Sequence, residues 1–393
     1  MILKKLAIVS THPIQYNAPL FKLLTERNVI QIKVFYTWGE SVLKDKYDPG
    51  FNKVIEWDIP LLNGYSYQFV NNISKRPGSD YFNGIINPSL NSEIEKWGAD
   101  AVLVYGWSFK SHLGCLRYFH KKIPVFFRGD STLLDDAGKG LKSLLKGWLL
   151  KWIYRHVDKA LHVGKHNKAY FLKYGLKESQ LVFAPHAIEN ERFSFPPKKD
   201  FRKELGIKGN DVVFLFAGKF ESKKNPELLI DAFCQILNQN VYLVLVGNGH
   251  LEAKIKSNIS GLEESVRSRI KLMDFQNQSA MPDVYKMADV VVLPSRGPGE
   301  TWGLAVNEAM ASRKAVLVSD KCGCAPDLVI EGITGYVFQS DNVTDLVSKI
   351  MLLADKEKAC AMGMKSKENI KHWSIGSIAN VIENVVLHNS ESI

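Results

Sequence analysis

Two lysines, Lys219 and Lys224, lie in one loop, directly after a predicted buried strand at Val212–Ala217. Gly218 lets the backbone turn tightly after that strand, and Asn225-Pro226 predicts a helix start with Asn225 as its cap. Both ammonium groups are therefore expected above the carboxyl edge of a sheet, where two cations suit a diphosphate. The alternative for this loop taken alone is a solvated basic turn.

Two carboxylates follow a predicted buried strand that ends at Pro294. Glu300 lies in the loop after this strand, and Glu308 lies one and a half turns inside the helix that comes next. A helix is predicted from near Gly303 to about Ser312, and the free N–H groups of its first turn suit a phosphate. The carboxylates can accept hydrogen bonds from ribose or sugar hydroxyls. The alternative is an ordinary helix with a solvated Glu308 and a capping Glu300. The strand, glycine loop and helix around the pair favour a binding site.

Along the whole chain, buried apolar runs alternate with helix-length segments, which is typical of parallel sheets with crossover helices. The strands predicted in the first half are Lys5–Ser10, Ile32–Tyr36, Ala101–Tyr105, Val125–Phe127 and Ala160–Val163. Those predicted in the second half are Val212–Ala217, Tyr242–Val246, Ile270–Met273, Val290–Pro294 and Ala315–Val318. The stretch Ile188–Asp200 between them has linker composition. We expect two doubly wound α/β domains facing a central cleft, with ligands at the carboxyl ends of the strands.

Length and composition support this architecture. The 393 residues are 46% hydrophobic and 23% charged, which excludes a disordered chain and a disulfide-stapled miniprotein. No apolar run reaches the ~18 residues of a membrane-spanning helix, and no secretory signal is recognised. The five scattered cysteines fit reduced thiols, and no zinc-ligand spacing accompanies Cys322 and Cys324. We expect a cytoplasmic protein.

The net positive charge of the chain comes entirely from its first half. Residues 1–195 hold 27 Lys and Arg against 17 Asp and Glu, a balance of +10, whereas residues 196–393 hold 24 of each. A one-sided basic excess implies an anionic partner for the first half, and nucleic acid, anionic lipid and a phosphorylated substrate all fit it.

The stretch 139–159 concentrates that charge, with six Lys or Arg and one Asp. Its leucines and tryptophans recur at helical spacing. One interpretation is a crossover helix with a buried apolar face and a solvated basic face. The other, which we favour, is a basic amphipathic surface for anionic lipid headgroups at the inner face of a membrane.

The second half resembles the retaining glycosyltransferases of family 4, which have the GT-B fold. The resemblance rests on Gly-Lys-x4-Lys at Gly218–Lys224 and on Glu-x7-Glu at Glu300–Glu308. It extends to three shorter stretches of the second half, Leu245–Gly249, Cys322–Asp327 and Gly332–Gly335, and more loosely to two of the first half, Leu161–Val163 and Pro185–Glu189.

This resemblance implies a role for each matching residue. Lys219 and Lys224, after Gly218, would bind the diphosphate of a sugar donor, helped by the amides of Gly303 and Leu304. The remaining donor-side residues would hold the ribose (Glu308), contact the transferred sugar (Glu300), line the base pocket (Asp274 and Phe275) or stand beside the donor (Trp302).

Lys219 departs from the family's usual Arg, which loses the bidentate fork, and Cys324 and Asp327 depart from the commoner Gly and Glu. The chain contains no Asp-x-Asp, so we expect no metal and no cofactor. Two lysines and a helix N-terminus would instead stabilise the charge that develops on the leaving nucleoside diphosphate.

The acceptor side is expected in the first half. The loop after the first strand offers His12, Gln15 and Tyr16, although it could also be a capping loop. Other candidates follow later strands: Trp107, which could stack on a sugar or pack in the core, Arg128, and Asp130, which could accept a proton from the acceptor hydroxyl or pair with Arg128.

The sequence thus predicts an acceptor-binding domain at 1–190, a nucleotide-sugar domain at 200–372 and a C-terminal helix at 373–393 that packs back on the first domain. The predicted activity is metal-independent, hexosyltransferase-type transfer from a UDP- or GDP-sugar to a saccharide or glycolipid acceptor in envelope glycan synthesis. The alternative is a nucleotide-sugar epimerase of the same architecture. A nucleic-acid partner is not expected, because no binding motif for one is present, and Gly247 and Gly249 alone are a weak match to a dehydrogenase fingerprint.

Overall fold

The protein is described from a computed structural model covering residues 2–40, 47–48, 50–136 and 140–388. Its β-strands are β1 (Lys5–Ser10), β2 (Gln31–Tyr36), β3 (Tyr47–Asp48), β4 (Lys53–Val54), β5 (Tyr67–Phe69), β6 (Ala101–Tyr105), β7 (Val125–Arg128), β8 (Lys159–His162), β9 (Leu181–Phe183), β10 (Val212–Ala217), β11 (Val241–Val246), β12 (Ile270–Met273), β13 (Val290–Leu293), β14 (Ala315–Ser319) and β15 (Gly335–Phe338).

The α-helices lie between and after these strands. They are α1 (Ala18–Arg27), α2 (Leu90–Trp97), α3 (Lys110–Phe119), α4 (Leu141–Tyr154), α5 (Lys165–Lys173), α6 (Phe201–Glu204), α7 (Pro226–Phe233), α8 (Glu252–Ser260), α9 (Glu264–Arg267), α10 (Met281–Met287), α11 (Leu304–Ala311), α12 (Ala325–Leu328), α13 (Val343–Leu353), α14 (Lys356–Ile370) and α15 (Ile375–His388). None of these described helices has the length and apolarity needed to cross a bilayer.

Each of two compact units is built on one parallel sheet. The first contains the described parts of Met1–Lys46, Pro60–His186 and Ile375–Ile393, and the second contains those of Tyr47–Ile59 and Ala187–Ser374. The segment 47–59, which we call the strap, therefore belongs to the second unit, although the sequence assigns 1–190 to one domain. The reason is its hydrogen bonds and ion pairs to the loops after β10 and β12.

The first unit contains the sheet β5-β2-β1-β6-β7-β8-β9. Its central strands are buried along most of their length, as expected for a parallel sheet covered on both faces. Helix α15 packs on α1 in this unit, where the Arg27 guanidinium lies 3.0 Å from the Glu383 carboxylate. The last turn predicted for this helix, 389–393, lies outside the described residues.

The second unit contains the sheet β12-β11-β10-β13-β14-β15, and all its neighbouring strands run parallel. The apolar runs on β10 and β11 alternate between the two faces, and phenylalanines such as Phe214 and Phe216 fill one core. The structure thus confirms the predicted pair of Rossmann-like α/β domains. Edge strands β5, β9 and β15 were absent from the prediction, because each is short and lacks a continuous buried apolar run.

Candidate functional site

The two loops singled out by the sequence follow β10 and β13, which are hydrogen-bonded neighbours in the second sheet. Because both strands are parallel, both loops begin at the same carboxyl edge. The backbone N–H of Arg296 donates to the carbonyl of Lys223 over 2.9 Å, which joins the two loops directly. The predicted basic loop and the predicted acidic loop are therefore neighbours at this edge.

Lys224 and Glu300 form an ion pair at this edge, with 2.5 Å between Nζ and the Oε2 atom. The Ser295 hydroxyl donates to the same Oε2 over 2.8 Å. The Glu300 side chain is only 7% exposed and that of Lys224 20%. A buried carboxylate with a cation and a hydroxyl on one oxygen forms a fixed polar centre. The alternative of a capping Glu300 is wrong, because Gly303 is the cap residue of the helix and no side chain caps it.

The helix predicted after Glu300 is present as α11, and Gly303 precedes it with a φ of +101°. A Cβ at this position would lie 2.7 Å from Cδ2 of Leu293 and 3.7 Å from Oε1 of Glu300. Only glycine combines that backbone conformation with that close approach. Gly303 therefore brings the first turn of α11, beginning at Leu304, close to the Glu300 carboxylate.

Glu308 lies inside α11 and is 4% exposed, so the interpretation as a solvated glutamate is wrong. Its Oε2 accepts a hydrogen bond of 2.7 Å from the Tyr285 hydroxyl. Trp302 is also buried, and its indole N–H donates to Asn307 over 2.8 Å. The side chains around the start of α11 are thus held by hydrogen bonds within the second unit.

Asn225 precedes α7, as predicted, but its side chain does not cap that helix. Its backbone has a φ of +54°, its Nδ2 donates to Asp341 over 3.0 Å, and its Oδ1 accepts from Arg296 over 2.7 Å. The cap prediction is therefore wrong, because the left-handed backbone turns the side chain toward other partners. Asn225 instead cross-links the loop that holds Lys224.

Lys219 lies in the same loop and pairs with a different carboxylate. Its Nζ is 2.8 Å from Oδ1 of Asp48 in the strap and 4.9 Å from the centre of the Phe51 ring. Burial acts to raise the pKa of Asp48, but the hydrogen bond and charge of Lys219 outweigh it and leave that pKa below its usual range. No hydrogen bond or ion pair among the described residues links Lys219 to Glu300.

Asp274 and Phe275 follow β12 beside a cavity of about 430 Å³. Lys53 of the strap makes a forked contact with Asp274, at 2.7 and 2.9 Å, and this hydrogen bond lowers the pKa of that carboxyl. The backbone N–H of Phe275 donates to Oδ1 of Asn248 over 2.8 Å. The cavity lies within the ~300–1,000 Å³ range of small-molecule sites.

In the first unit, Arg128 is buried at the end of β7. Its two terminal nitrogens donate to the backbone carbonyls of Ala184 and Pro185, each over 2.9 Å. Asp130 lies two residues on, and its closest described ion-pair contact is His186 at 3.9 Å rather than Arg128. Burial lowers the pKa of His186, against the raising effect of its hydrogen bond to Asp130.

The remaining acceptor-side candidates, His12, Gln15, Tyr16 and Trp107, are half-buried. His12 contacts the Thr11 hydroxyl at 2.9 Å and the edge of Trp38, and burial lowers its pKa. Trp107 packs against the hydrophobic core of the first sheet and hydrogen-bonds Tyr154. Core packing, one of its two predicted roles, is therefore what its contacts show.

Of the stretch 139–159, Lys139 lies outside the described residues. Helix α4 begins at Leu141 and ends at Tyr154. Its buried residues are Leu150, Ile153 and Tyr154. Five large apolar side chains of this helix are instead exposed: Leu141, Leu144, Leu145, Trp148 and Leu149. The alternative interpretation, a crossover helix with these positions buried, is therefore wrong, because the buried residues of α4 lie toward its last turn. The favoured interpretation, a surface for anionic lipid, stays a prediction.

Sequence reasoning missed several residues that complete these contacts. Ser295 lies two residues after the end of β13, a position that could have marked it, whereas Tyr285 lies on α10 without any motif. Asn248 sits between Gly247 and Gly249, and a meaning was assigned from the sequence only to these two glycines. The strap carried a signal in Asp48-Pro-Gly, a common turn sequence, but nothing in it indicated the second unit.

Cys322 and Cys324 are buried, and burial raises the pKa of both thiols. The backbone N–H of Gly323 between them donates to the Glu300 carbonyl over 3.1 Å, so this turn supports the Glu300 loop. Within the described ranges, no three His, Cys, Asp or Glu residues gather as metal ligands.

Comparisons with known proteins place these contacts in context. Residues 197–371 match the family model described as "Glycosyl transferases group 1". The chain is 29% identical over 199 residues to a lipopolysaccharide 1,2-N-acetylglucosaminetransferase of Salmonella typhimurium, covering 48% of this chain and 51% of that protein. It is 27% identical to a UDP-Gal:alpha-D-GlcNAc-diphosphoundecaprenol alpha-1,3-galactosyltransferase of Escherichia coli, covering 47% and 48%. These alignments span about half the length of each relative.

Solved structures resemble the whole chain. A sucrose-phosphate synthase from Thermosynechococcus elongatus matches with a TM-score of 0.74 at 17% identity, over 99% of this chain and 100% of that one. Anabaena Alr3699/HepE in complex with UDP and glucose matches with a TM-score of 0.71 at 16% identity, over 98% and 99%. The likeness shows the GT-B fold that the sequence predicts.

Fold, motif-bearing loops and the family match agree on one class. A group 1 glycosyltransferase domain at residues 197–371 in a chain of GT-B architecture supports a glycosyltransferase.

Proposed function

We propose that this protein is a retaining, family 4 glycosyltransferase. It would transfer a sugar from a UDP- or GDP-linked donor to a saccharide or lipid-linked acceptor in the synthesis of an envelope glycan. The observation that carries this proposal is the buried Lys224–Glu300–Ser295 cluster beside the first turn of α11. The cluster lies within the segment that matches group 1 glycosyl transferases.

The donor diphosphate is assigned to Lys219, Lys224 and the first N–H groups of α11. As the glycosidic bond breaks, negative charge grows on the leaving nucleoside diphosphate. Fixed cations and backbone N–H groups in a partly buried site stabilise that charge with little reorganisation. This chemistry needs neither a metal nor a cofactor, so we propose a metal-independent reaction.

The two glutamates are assigned different contacts along the donor. Glu308 is buried one and a half turns inside α11, and we assign it to the ribose hydroxyls, because a carboxylate accepts two hydrogen bonds from neighbouring hydroxyls. Glu300 pairs with Lys224 and is assigned to the transferred sugar. The base is assigned to the cavity beside Asp274 and Phe275.

The proposed acceptor class follows from the relatives' names, one of which specifies a diphosphoundecaprenol-linked substrate. On the acceptor side, Asp130 with its neighbour His186 is assigned to the acceptor hydroxyl. His12, Gln15 and Tyr16 are assigned to acceptor contacts in the loop after β1.

We also propose that α4 attaches the protein to an anionic membrane. Its exposed apolar residues stand at positions 141, 144, 145, 148 and 149, which is the spacing of one helix face. Lys142, Lys146 and Lys151 are exposed on the same helix, and α4 contains no acidic residue. An apolar face flanked by lysines suits the boundary between acyl chains and anionic headgroups.

Flotation with vesicles tests the membrane assignment. We expect wild-type protein to float with phosphatidylglycerol-containing vesicles and not with phosphatidylcholine vesicles. Leu145→Ser with Trp148→Ser should reduce binding at least about tenfold, because each apolar side chain buried contributes ~1.5–3 kcal/mol. Leu237→Ser, which replaces a still more exposed leucine in the second unit, is the control. Unchanged flotation of the double variant would remove the membrane assignment and leave the enzymatic one standing.

Calorimetry tests the donor assignment first. We expect UDP or GDP to bind wild-type protein, and the matching nucleotide sugar to be consumed only when an acceptor is added. The anomeric configuration of the product, read by proton NMR, should equal that of the donor. A chain that binds neither nucleotide would overturn the proposal, and inversion of configuration would overturn its retaining mechanism alone.

A further inference from the structure

The strap brings side chains from an early part of the chain to the second unit. Although it precedes β5 in sequence, its residues Asp48, Lys53 and Asp58 contact Lys219, Asp274 and Ser279, respectively. Each of these contacts joins a charged strap side chain to a partner on a loop of the second unit. The strap is therefore docked by complementary polar contacts.

The strap also forms part of the cavity wall. Phe51 and Lys53 line the cavity of about 430 Å³ together with Gly247, Asn248 and Asp274. The Phe51 ring packs edge-on against Phe275, with 4.9 Å between the ring centres. An aromatic wall and a few polar groups are what a planar heterocyclic ligand requires of a site.

Asp48, also in the strap, forms an ion pair with Lys219. Its carboxylate makes contacts of 2.8 and 3.1 Å with the lysine Nζ and also accepts the backbone N–H groups of Gly50 and Phe51. A carboxylate on a lysine offers the same charge and oxygen chemistry as one phosphate of a diphosphate. A diphosphate bound at the same Nζ would share its three donors with Asp48 and meet the charge of that carboxylate, so the two anions compete for Lys219.

We propose that the strap is a component of the donor site, in which Phe51 forms a wall for the nucleoside base and Asp48 competes with the donor diphosphate for Lys219. This inference rests on the proposed function, because it takes Lys219 as a phosphate contact. It adds that the unliganded protein carries its own anion at this contact. Donor binding is then an exchange of one anion for another at Lys219.

Calorimetry on the full chain separates the two parts of the inference. Asp48→Asn removes the competing charge but keeps an oxygen for the N–H groups of Gly50 and Phe51. We expect it to bind the nucleoside diphosphate about threefold more tightly, the factor set by a partly exposed ion pair. Glu56→Gln removes one carboxylate charge from an exposed strap position and keeps the backbone contact of that residue to Asn277, so it should leave the affinity unchanged.

Phe51→Ala tests the base wall, with pyrophosphate as the second probe. We expect this variant to bind the nucleoside diphosphate about fivefold more weakly, the loss typical of an aromatic contact, and pyrophosphate as wild type does. Circular dichroism of each variant establishes that the fold is retained.

The outcomes are distinguishable. Unchanged or weaker nucleotide binding by Asp48→Asn would overturn the competition. An equal loss of nucleotide and pyrophosphate binding in Phe51→Ala would overturn the wall. If wild-type protein binds no nucleoside diphosphate, the proposed function itself fails, and the inference fails with it.

Discussion

Both parallel sheets carry basic side chains at or beyond the carboxyl ends of buried strands, but those side chains have different partners. In the first unit the Arg128 guanidinium is held by two backbone carbonyls. In the second unit Lys219 and Lys224 are held by the carboxylates of Asp48 and Glu300. Backbone carbonyls are fixed parts of the fold, whereas a side-chain carboxylate can be exchanged for another anion. The comparison teaches that the partner of a cation at such an edge, rather than its position, separates one fixed by the fold from one that another anion can reach, as the proposed function requires of Lys219 and Lys224.

Replacing Lys224 tests the binding side of this comparison and should have the largest effect. We expect Lys224→Ala to lower turnover about a hundredfold, or roughly 3 kcal/mol, because one donor to the developing charge is lost. Lys223→Ala, its neighbour with a more exposed side chain, should retain turnover within about twofold. Steady-state kinetics measures both, and circular dichroism checks the fold. Turnover near wild type in Lys224→Ala would contradict the assignment.

The second-largest effect is expected in mild acid, which should destabilise the first unit more than the second. Burial lowers the pKa of His112, in the first unit, to about 4, whereas an unfolded histidine titrates near ~6.5. Between these values the unfolded chain binds a proton that the native protein excludes. Stability should therefore fall as the pH drops from about 6.5 to 4, by up to about 3 kcal/mol from this histidine.

Hydrogen exchange at pH 7 and pH 5 measures this difference. Peptides from α3 should lose protection at pH 5, while peptides from β10 and β11 should not. His112→Asn should reduce the pH dependence without abolishing it, because asparagine does not titrate but burial also lowers the pKa of His162, to about 4. Equal loss in both units would show that the acid response is not specific to His112.

Replacing Arg128 tests the structural side. We expect Arg128→Met to lower the free energy of unfolding of the first unit by about 2 kcal/mol, because hydrogen bonds from a charged donor to two buried carbonyls are lost. The affinity for nucleoside diphosphate should remain unchanged. Denaturant unfolding and calorimetry give the two quantities. If Arg128→Met lost nucleotide binding but kept full stability, Arg128 would be a binding residue and its assignment as a structural one would be wrong.

Chelation should have the smallest effect. If the two lysines and the start of α11 supply the charge stabilisation, EDTA in excess should leave turnover within experimental error. Readdition of Mg²⁺ or Mn²⁺ should change nothing. Loss of activity with EDTA and recovery with one of these ions would require a metal in the donor site.

The sequence was sufficient for the parts of the fold that repeat locally. Apolar runs such as β10 and β13 predicted both sheets, and Gly303 predicted the start of α11, because these patterns depend on neighbouring residues. The strap could not be predicted in this way, since its contacts join positions such as 48 and 219 that lie far apart in the chain. Tyr285 was missed for the same reason. For α4 the periodicity left two interpretations open, because it does not reveal which side of a helix meets the sheet.

The strap and α15 make neither unit a continuous stretch of polypeptide. A gene fragment covering 187–374 would encode the second sheet without its strap, and one ending at 374 would leave the α15-binding surface of α1 uncovered. On the ribosome, the first unit cannot be completed until α15 has emerged, after the whole second sheet has been synthesised. Work on separated halves would therefore need a permuted or co-expressed design that supplies these two pieces.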